Sequence, residues 1–229
     1  LLGSLFCHSV VGNGREAIMI FVFMAAIIFG FVHPGGKLLL GSGIDLLSFC
    51  LLYIGIRLLV QIPIVLKTGE FRITNRKQML ILATIGLVGA ALQTTEFMGI
   101  ADGLPVPVVT FLVYTHPVWT ILLGRFINGE KISGISIAKL TLGIGGSAFI
   151  FLTQVQEVTA NLHLMIAPVI AGLMIALWIV LSRKAKTANI GTWTISFYYD
   201  LFAFVGLLAL YSSTLVPVLP ASEAWAIFK

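Results

Sequence analysis

Three ionisable side chains, Arg57, Glu96 and Asp200, lie deep inside long apolar stretches of this chain. Charge is costly in such surroundings, so each of them is a candidate for a functional site. The Arg57 guanidinium could bind an anionic group of a ligand, or it could form a structural ion pair with Glu96 or Asp200. A buried carboxylate could also carry a coupling proton, because removal from water favours the protonated acid.

Further polar side chains share predicted helix faces with these residues, because positions three or four apart lie on one side of a helix. Gln93 lies on the face of Glu96, which continues through Gly86 and Gly89. The small end of that face suits close helix contact, and its polar end suits a cavity or a hydrogen bond to another helix. The other two faces carry Tyr53 and Gln61 beside Arg57, and Thr192, Ser196 and Tyr199 beside Asp200.

Pro117 lies inside a further apolar stretch. Because proline has no N–H to donate, it leaves the carbonyl of Val113 without its helical partner and predicts a kink. The bend is either a fixed packing feature or a hinge that moves during gating. Thr110 and Tyr114 share the face of Pro117, and His116 flanks it.

The motifs of common enzymes are missing from the sequence. It has no Gly-x-Ser-x-Gly elbow, no His-Glu-x-x-His pair and no phosphate-binding loop. Cys7 and Cys50 are too few and too far apart to suggest a metal site. We therefore expect no enzyme, no metal and no cofactor; the enzymatic alternative is an intramembrane site built from Glu96, His116 and Asp200.

Seven apolar runs position these residues, and each is close to the ~20 residues that a helix needs to cross a bilayer. The chain is 59% hydrophobic and only 10% charged, whereas soluble domains average about 25% charged. The runs are too long and too continuously apolar for the strands of a membrane barrel. The sequence thus predicts an all-α integral membrane bundle, with Gly and Pro at 33–36 and 103–107 punctuating run ends. The runs are 17–33, 46–66, 79–99, 104–124, 133–153, 163–182 and 192–214.

Most of the 14 lysine and arginine residues lie in alternate gaps between the runs, notably 67–78, 125–132 and 183–191. Basic short loops stay in the cytoplasm, so we expect a multi-pass protein of the cytoplasmic or inner membrane with a cytoplasmic N-terminus. The pI of 9.4 then reflects orientation and contact with lipid head groups, and not nucleic-acid binding.

A weak internal repeat relates the first two runs to the last two. Met19-Ile20 recurs as Met165-Ile166, and Ser48-Phe49 recurs as Ser196-Phe197 at nearly the same offset. That offset spans five runs, and because five is odd, the second copy would insert upside down. Inverted repeats are the architecture of secondary transporters, which bind substrate near the membrane midplane.

Four segments make the chain resemble the EamA-type ten-helix members of the drug/metabolite transporter superfamily. They are Pro107–Phe111, Thr115–Thr120 with its mid-helix proline, the turn Gly129–Ser133 and the Gly-rich Leu142–Gly146. The resemblance implies a 5+5 inverted repeat, with 16–153 as a first repeat and 162–229 as two helices of a second. It also implies that the face of Tyr114 looks into a central cavity.

The function implied is secondary transport or export of a small metabolite or drug-like solute by alternating access. A membrane assembly partner without transport activity is a further alternative. Glu130 is expected to be a cap or a loop-pairing residue and not a substrate ligand. Coupling to a proton is left open. The Gly-rich helix is expected to offer a surface for another helix or for a second subunit of a homodimer. The expected cavity lining is Arg57, Gln93, Glu96, Thr110, Tyr114, His116, Trp178, Tyr199 and Asp200, with Pro117 as the gating kink.

The sequence has seven apolar runs, whereas the resemblance implies ten helices. We therefore expect the chain to be a fragment that lacks three C-terminal helices. Runs 6 and 7 would then present a polar face that the missing helices cover. Its members would be Thr192, Ser196 and Asp200.

Overall fold

The computed structural model describes residues 23–24, 26–28, 30–69, 73, 75–131, 133–152 and 162–215. Within these ranges every regular element is a helix, which confirms the predicted all-α class. The elements are α1 (Val32–Gly41), α2 (Leu46–Thr68), α3 (Arg76–Ala101), α4 (Val106–Val113), α5 (His116–Asn128), α6 (Gly134–Leu152), a 3₁₀ turn (Leu162–Met165), α7 (Ile166–Thr187) and α8 (Thr192–Leu215).

Five segments of the described chain are long and apolar enough to cross a membrane, as expected for a polytopic helical protein. They are Leu46–Thr68, Arg76–Ala101, Val106–Asn128, His163–Thr187 and Thr192–Ser213. All five coincide with predicted runs, and α6 occupies the position of the predicted fifth run. A shorter apolar segment, Ala26–Gly41, contains α1.

The prediction that residues 33–36 punctuate the end of the first run is wrong, because the helix continues to Gly41. Pro34 is the third residue of α1, and in the first turn of a helix the missing N–H has no intrahelical partner to lose. Gly36 is buried in mid-helix, where the ring of Phe97 from α3 occupies the space that a Cβ would need. This glycine therefore allows two helices to approach closely. Residues 17–22 of the predicted run lie outside the described residues.

The helix that contains Pro117 is interrupted at Tyr114–Thr115, between α4 and α5. The hydroxyl of Thr115 donates to the carbonyl of Leu112 at 2.7 Å. Gly172 of α7 packs directly on the break, and a Cβ there would lie 3.1 Å from the carbonyl oxygens of Leu112 and Val113. The kink and this glycine together let α7 approach backbone that a regular helix would shield.

Helix α3 is the centre of the bundle and packs chiefly against α7 and α8, with α1 and α2 also in contact. Its small residues permit this, as the sequence predicts. Gly86 lies against Phe202, and a Cβ on Gly89 would approach the Tyr199 ring to 2.5 Å. Close helix approach through small residues is the usual packing mode in membranes, where helices gain little from the hydrophobic effect.

The expected exposed polar face of runs 6 and 7 is contradicted at two of its three residues. Ser196 and Asp200 are buried, with Asp200 fully excluded from solvent, while Thr192 is half-buried. The reason is that α8 packs against both α2 and α3. Helix α2 supplies the partners of Asp200, so no further helix is needed to cover this carboxylate.

Candidate functional site

A cavity of about 400 Å³ opens in the middle of the bundle, among α1, α2, α3, α7, α8 and the break between α4 and α5. Seven of the nine residues predicted to line a substrate site lie on its wall; Thr110 and Asp200 do not. The lining is Val32, His33, Tyr53, Arg57, Leu92, Gln93, Glu96, Val113, Tyr114, His116, Ile175, Trp178, Ile179 and Tyr199.

One wall carries an ion pair between Arg57 of α2 and Asp200 of α8, with Nη2 and Oδ1 2.9 Å apart. The amide of Gln61, one turn further along α2, donates to the other carboxylate oxygen of Asp200. The Arg57 guanidinium lies over the rings of Tyr53 and Tyr199, 5.6 and 5.5 Å from their centroids. Asp200 therefore sits behind the cavity wall and neutralises the cation that faces the cavity.

A second pair joins His33 of α1 to Glu96 of α3, with Nε2 and Oε1 3.2 Å apart. The other ring nitrogen of His33 lies 3.4 Å from the hydroxyl of Thr110. Thr110 thus supports His33 and does not line the cavity. His33 was missed in the sequence because it appears only beside Pro34, and no local spacing relates it to Glu96.

Three ring or amide nitrogens on the cavity wall have no hydrogen-bond partner within the described part of the chain. They are Nε2 of Gln93, Nε1 of Trp178 and Nδ1 of His116. Gln93 is only 2% exposed, and the Trp178 ring leans on Tyr199 with centroids 5.6 Å apart. Buried polar groups are nearly always satisfied, so these groups mark the part of the wall that is open to a ligand.

A second cavity of about 610 Å³ lies between α5, α6 and α7. Pro117 lines this cavity and not the central one. Tyr114, His116 and Ile179 line both cavities, so the helix break separates the two spaces. The far end of the second cavity reaches Arg183.

Arg183 forms an ion pair with Glu130 at that end, with Nη1 and Oε2 2.7 Å apart. The amide of Asn128 also donates to Glu130, at 3.3 Å. The Arg183 hydrogen bond lowers the pKa of the Glu130 carboxyl. Glu130 is thus a pairing residue of its turn, as the sequence predicts, and it ties that turn to α7.

The residues of the alternative intramembrane enzyme are not assembled as one catalytic group. Asp200 is engaged with α2 and Glu96 with His33, while Nδ1 of His116 has no partner in the described chain. The same part of the chain contains no group of three or more metal-ligating side chains.

A bundle of membrane-length helices around an internal polar cavity defines a polytopic membrane protein with a solute-sized chamber. The model of the EamA-like transporter family matches residues 17–152, more than half of the chain, and the chain belongs to that family. It is therefore a multi-pass membrane transporter of the drug/metabolite type. Comparison with curated proteins and with solved structures gives no match.

Proposed function

We propose that the protein is a secondary transporter that moves a small solute across the cytoplasmic membrane by alternating access. The observation that carries the proposal is the central cavity, whose charged residues are paired and whose remaining polar groups lack partners. Its volume of about 400 Å³ lies within the range of small-molecule sites, about 300 to 1,000 Å³. A membrane assembly partner would need no such chamber.

The helix break at Tyr114–Thr115 is the proposed moving part. Tyr114 and His116 stand between the two cavities, so a change in the angle between α4 and α5 would connect or separate them. Gating by discontinuous helices around a fixed midplane site is a general feature of inverted-repeat transporters. The basic loops predict a cytoplasmic position for the Glu130–Arg183 pair, where it would hold that end of the pathway shut.

Glu96 is the proposed binding site of a coupling proton. This carboxylate faces the cavity with 17% of its side chain exposed, whereas the Asp200 side chain is fully buried behind Arg57. A group that exchanges protons with a transport pathway must be reachable from that pathway. Asp200 is the structural member of the two.

The experiment is a counterflow assay in proteoliposomes with a panel of small labelled solutes, comparing two tryptophan variants of α7. Ile175→Trp fills the central cavity and is expected to abolish flux. Ile170→Trp adds the same bulk to the same helix at an exposed position and should leave flux intact. Unchanged flux in Ile175→Trp, or no flux of any solute in the unmodified protein, would contradict the proposal.

A further inference from the structure

The charged groups on the wall of the central cavity are each engaged by a neighbouring side chain of the protein. Arg57 is paired with Asp200, and Glu96 is paired with His33. A charged ligand would have to separate one of these pairs, and removing one partner of a buried pair leaves the other uncompensated at high cost. The wall thus offers no ready counter-charge to a cation or an anion among the described residues.

Two of the three unpartnered groups on the wall are donors, and the third, Nδ1 of His116, donates or accepts according to its tautomer. Nε1 of Trp178 can only donate, and Nε2 of Gln93 is an amide NH₂ with two donor hydrogens. Neither finds an acceptor within the described chain. Because Gln93 is 2% exposed, bulk water does not satisfy its amide from outside the cavity. A ligand that carries hydrogen-bond acceptors would complete both groups.

The apolar part of the wall combines aliphatic side chains with aromatic rings. Trp178 and Tyr199 contact each other at a tilt of 51°, and the Tyr53 ring lies 5.6 Å from the Arg57 guanidinium. Aromatic walls favour flat ligands, which can stack or meet a ring edge. We infer that the cavity binds an uncharged, planar heteroaromatic solute, whose carbonyl or ring-nitrogen acceptors bond to Gln93 and Trp178. This inference rests on the proposed function, since it names the substrate class of the same site.

The test uses three single-ring probes of similar size but different charge at pH 7.5: neutral nicotinamide, cationic benzylamine and anionic benzoate. Binding to the purified protein in nanodiscs is measured by calorimetry. Nicotinamide is expected to bind most tightly. Trp178→Phe keeps the aromatic wall but removes a donor, and should weaken that binding by about threefold to tenfold, as for one neutral hydrogen bond.

Gln93→Leu should weaken nicotinamide binding by a similar factor. Trp119→Phe is the matched control, because Trp119 lines neither cavity, and it should bind nicotinamide like the unmodified protein. Tighter binding of benzylamine that is lost in Glu96→Gln would overturn the inference, as would tighter binding of benzoate that is lost in Arg57→Gln. Binding of none of the three probes would also overturn it.

This test separates the inference from the proposed function. Nicotinamide binding without counterflow of any solute would refute transport and leave the binding class standing. Counterflow of a charged or non-aromatic solute, blocked by Ile175→Trp, would refute the binding class and leave transport standing.

Discussion

At the scale of single residues, the central feature is how a membrane bundle tolerates two carboxylates, a guanidinium and an imidazole. Asp200 is fully buried, forms an ion pair with Arg57 and accepts a hydrogen bond from the amide of Gln61. Glu96 pairs with His33. Each of these polar groups thus has a partner on another helix.

Asp200→Asn should be strongly destabilising, because it leaves the Arg57 charge without its counter-ion. We expect a loss on the order of 3–5 kcal/mol, typical of breaking a buried pair. The measurement is the thermal unfolding midpoint in detergent. Asp45→Asn is the control, since Asp45 caps α2 at the surface and asparagine caps equally well. Adding Arg57→Met to Asp200→Leu should recover stability relative to Asp200→Leu alone; purely additive losses would show that the pair does not interact.

The Glu130–Arg183 pair should make a small, pH-dependent contribution to stability. The folded pKa of Glu130 is lowered, so the contribution is present above the ordinary carboxyl pKa of 4.5 and is lost as pH falls through the folded value. Both side chains are substantially exposed, so the effect should be at most about 1 kcal/mol. Unfolding midpoints of the protein and of Glu130→Gln should differ at pH 7 and converge at low pH. A difference that grows as pH falls would contradict this assignment.

At the scale of helices, two glycines and one proline decide how closely the elements approach. Gly36 admits the Phe97 ring, Gly172 admits the carbonyls exposed by the break, and Pro117 creates that break. At each of these positions a missing side chain or a break in the helix makes room for the neighbouring helix. The same break separates the two cavities, so helix packing and the proposed transport pathway depend on one local irregularity.

Gly172→Ala should destabilise the bundle by about 1–3 kcal/mol, as expected for overpacking against atoms that cannot move aside. Its Cβ would meet backbone oxygens at 3.1 Å and the Thr115 hydroxyl at 3.0 Å. Gly55→Ala in α2 is the matched control, because its Cβ would meet only the Phe204 ring at 3.6 Å. Alanine there should be neutral or stabilising by up to about 1 kcal/mol from helix propensity. Equal midpoints for the two variants would refute the close contact at the break.

At the scale of the whole molecule, α3 is the axis around which the other helices assemble. Helices α7 and α8, which come last in the described sequence, pack on α3, and so do α1 and α2, which precede it. The cavity lies where these groups meet the break between α4 and α5. Which end of that cavity faces the cytoplasm depends on the orientation of the protein in the membrane.

The basic loops predict that orientation, and cysteine labelling tests it. In a cysteine-free background, an impermeant reagent added outside intact cells should label Ser42→Cys, in the short loop after α1. It should not label Asn75→Cys, which caps α3 in the basic gap. Both positions are exposed, so accessibility alone does not separate them. The opposite labelling pattern would reverse the topology.

Local sequence was sufficient for the features that depend on a single helix. Apolar run length located the five spans, the missing N–H of Pro117 located the break, and glycine spacing in α3 located a packing face. The high free-energy cost of placing a charge in the membrane also identified Arg57, Glu96 and Asp200 as candidate site residues. These properties follow from one segment and its solvent, so no neighbour needs to be known.

Contacts between helices decided the rest. The sequence offered two possible partners for Arg57, the carboxylates of Glu96 and Asp200. Because α8 packs on α2, the partner is Asp200, and the polar face of α8 is buried. Glu96 pairs with His33 because Gly36 lets α1 approach α3 closely. Thr110 contacts His33 and does not line the cavity. Pairing of side chains far apart in the chain depends on which helices touch and at what height, and residue spacing within one helix carries no record of that.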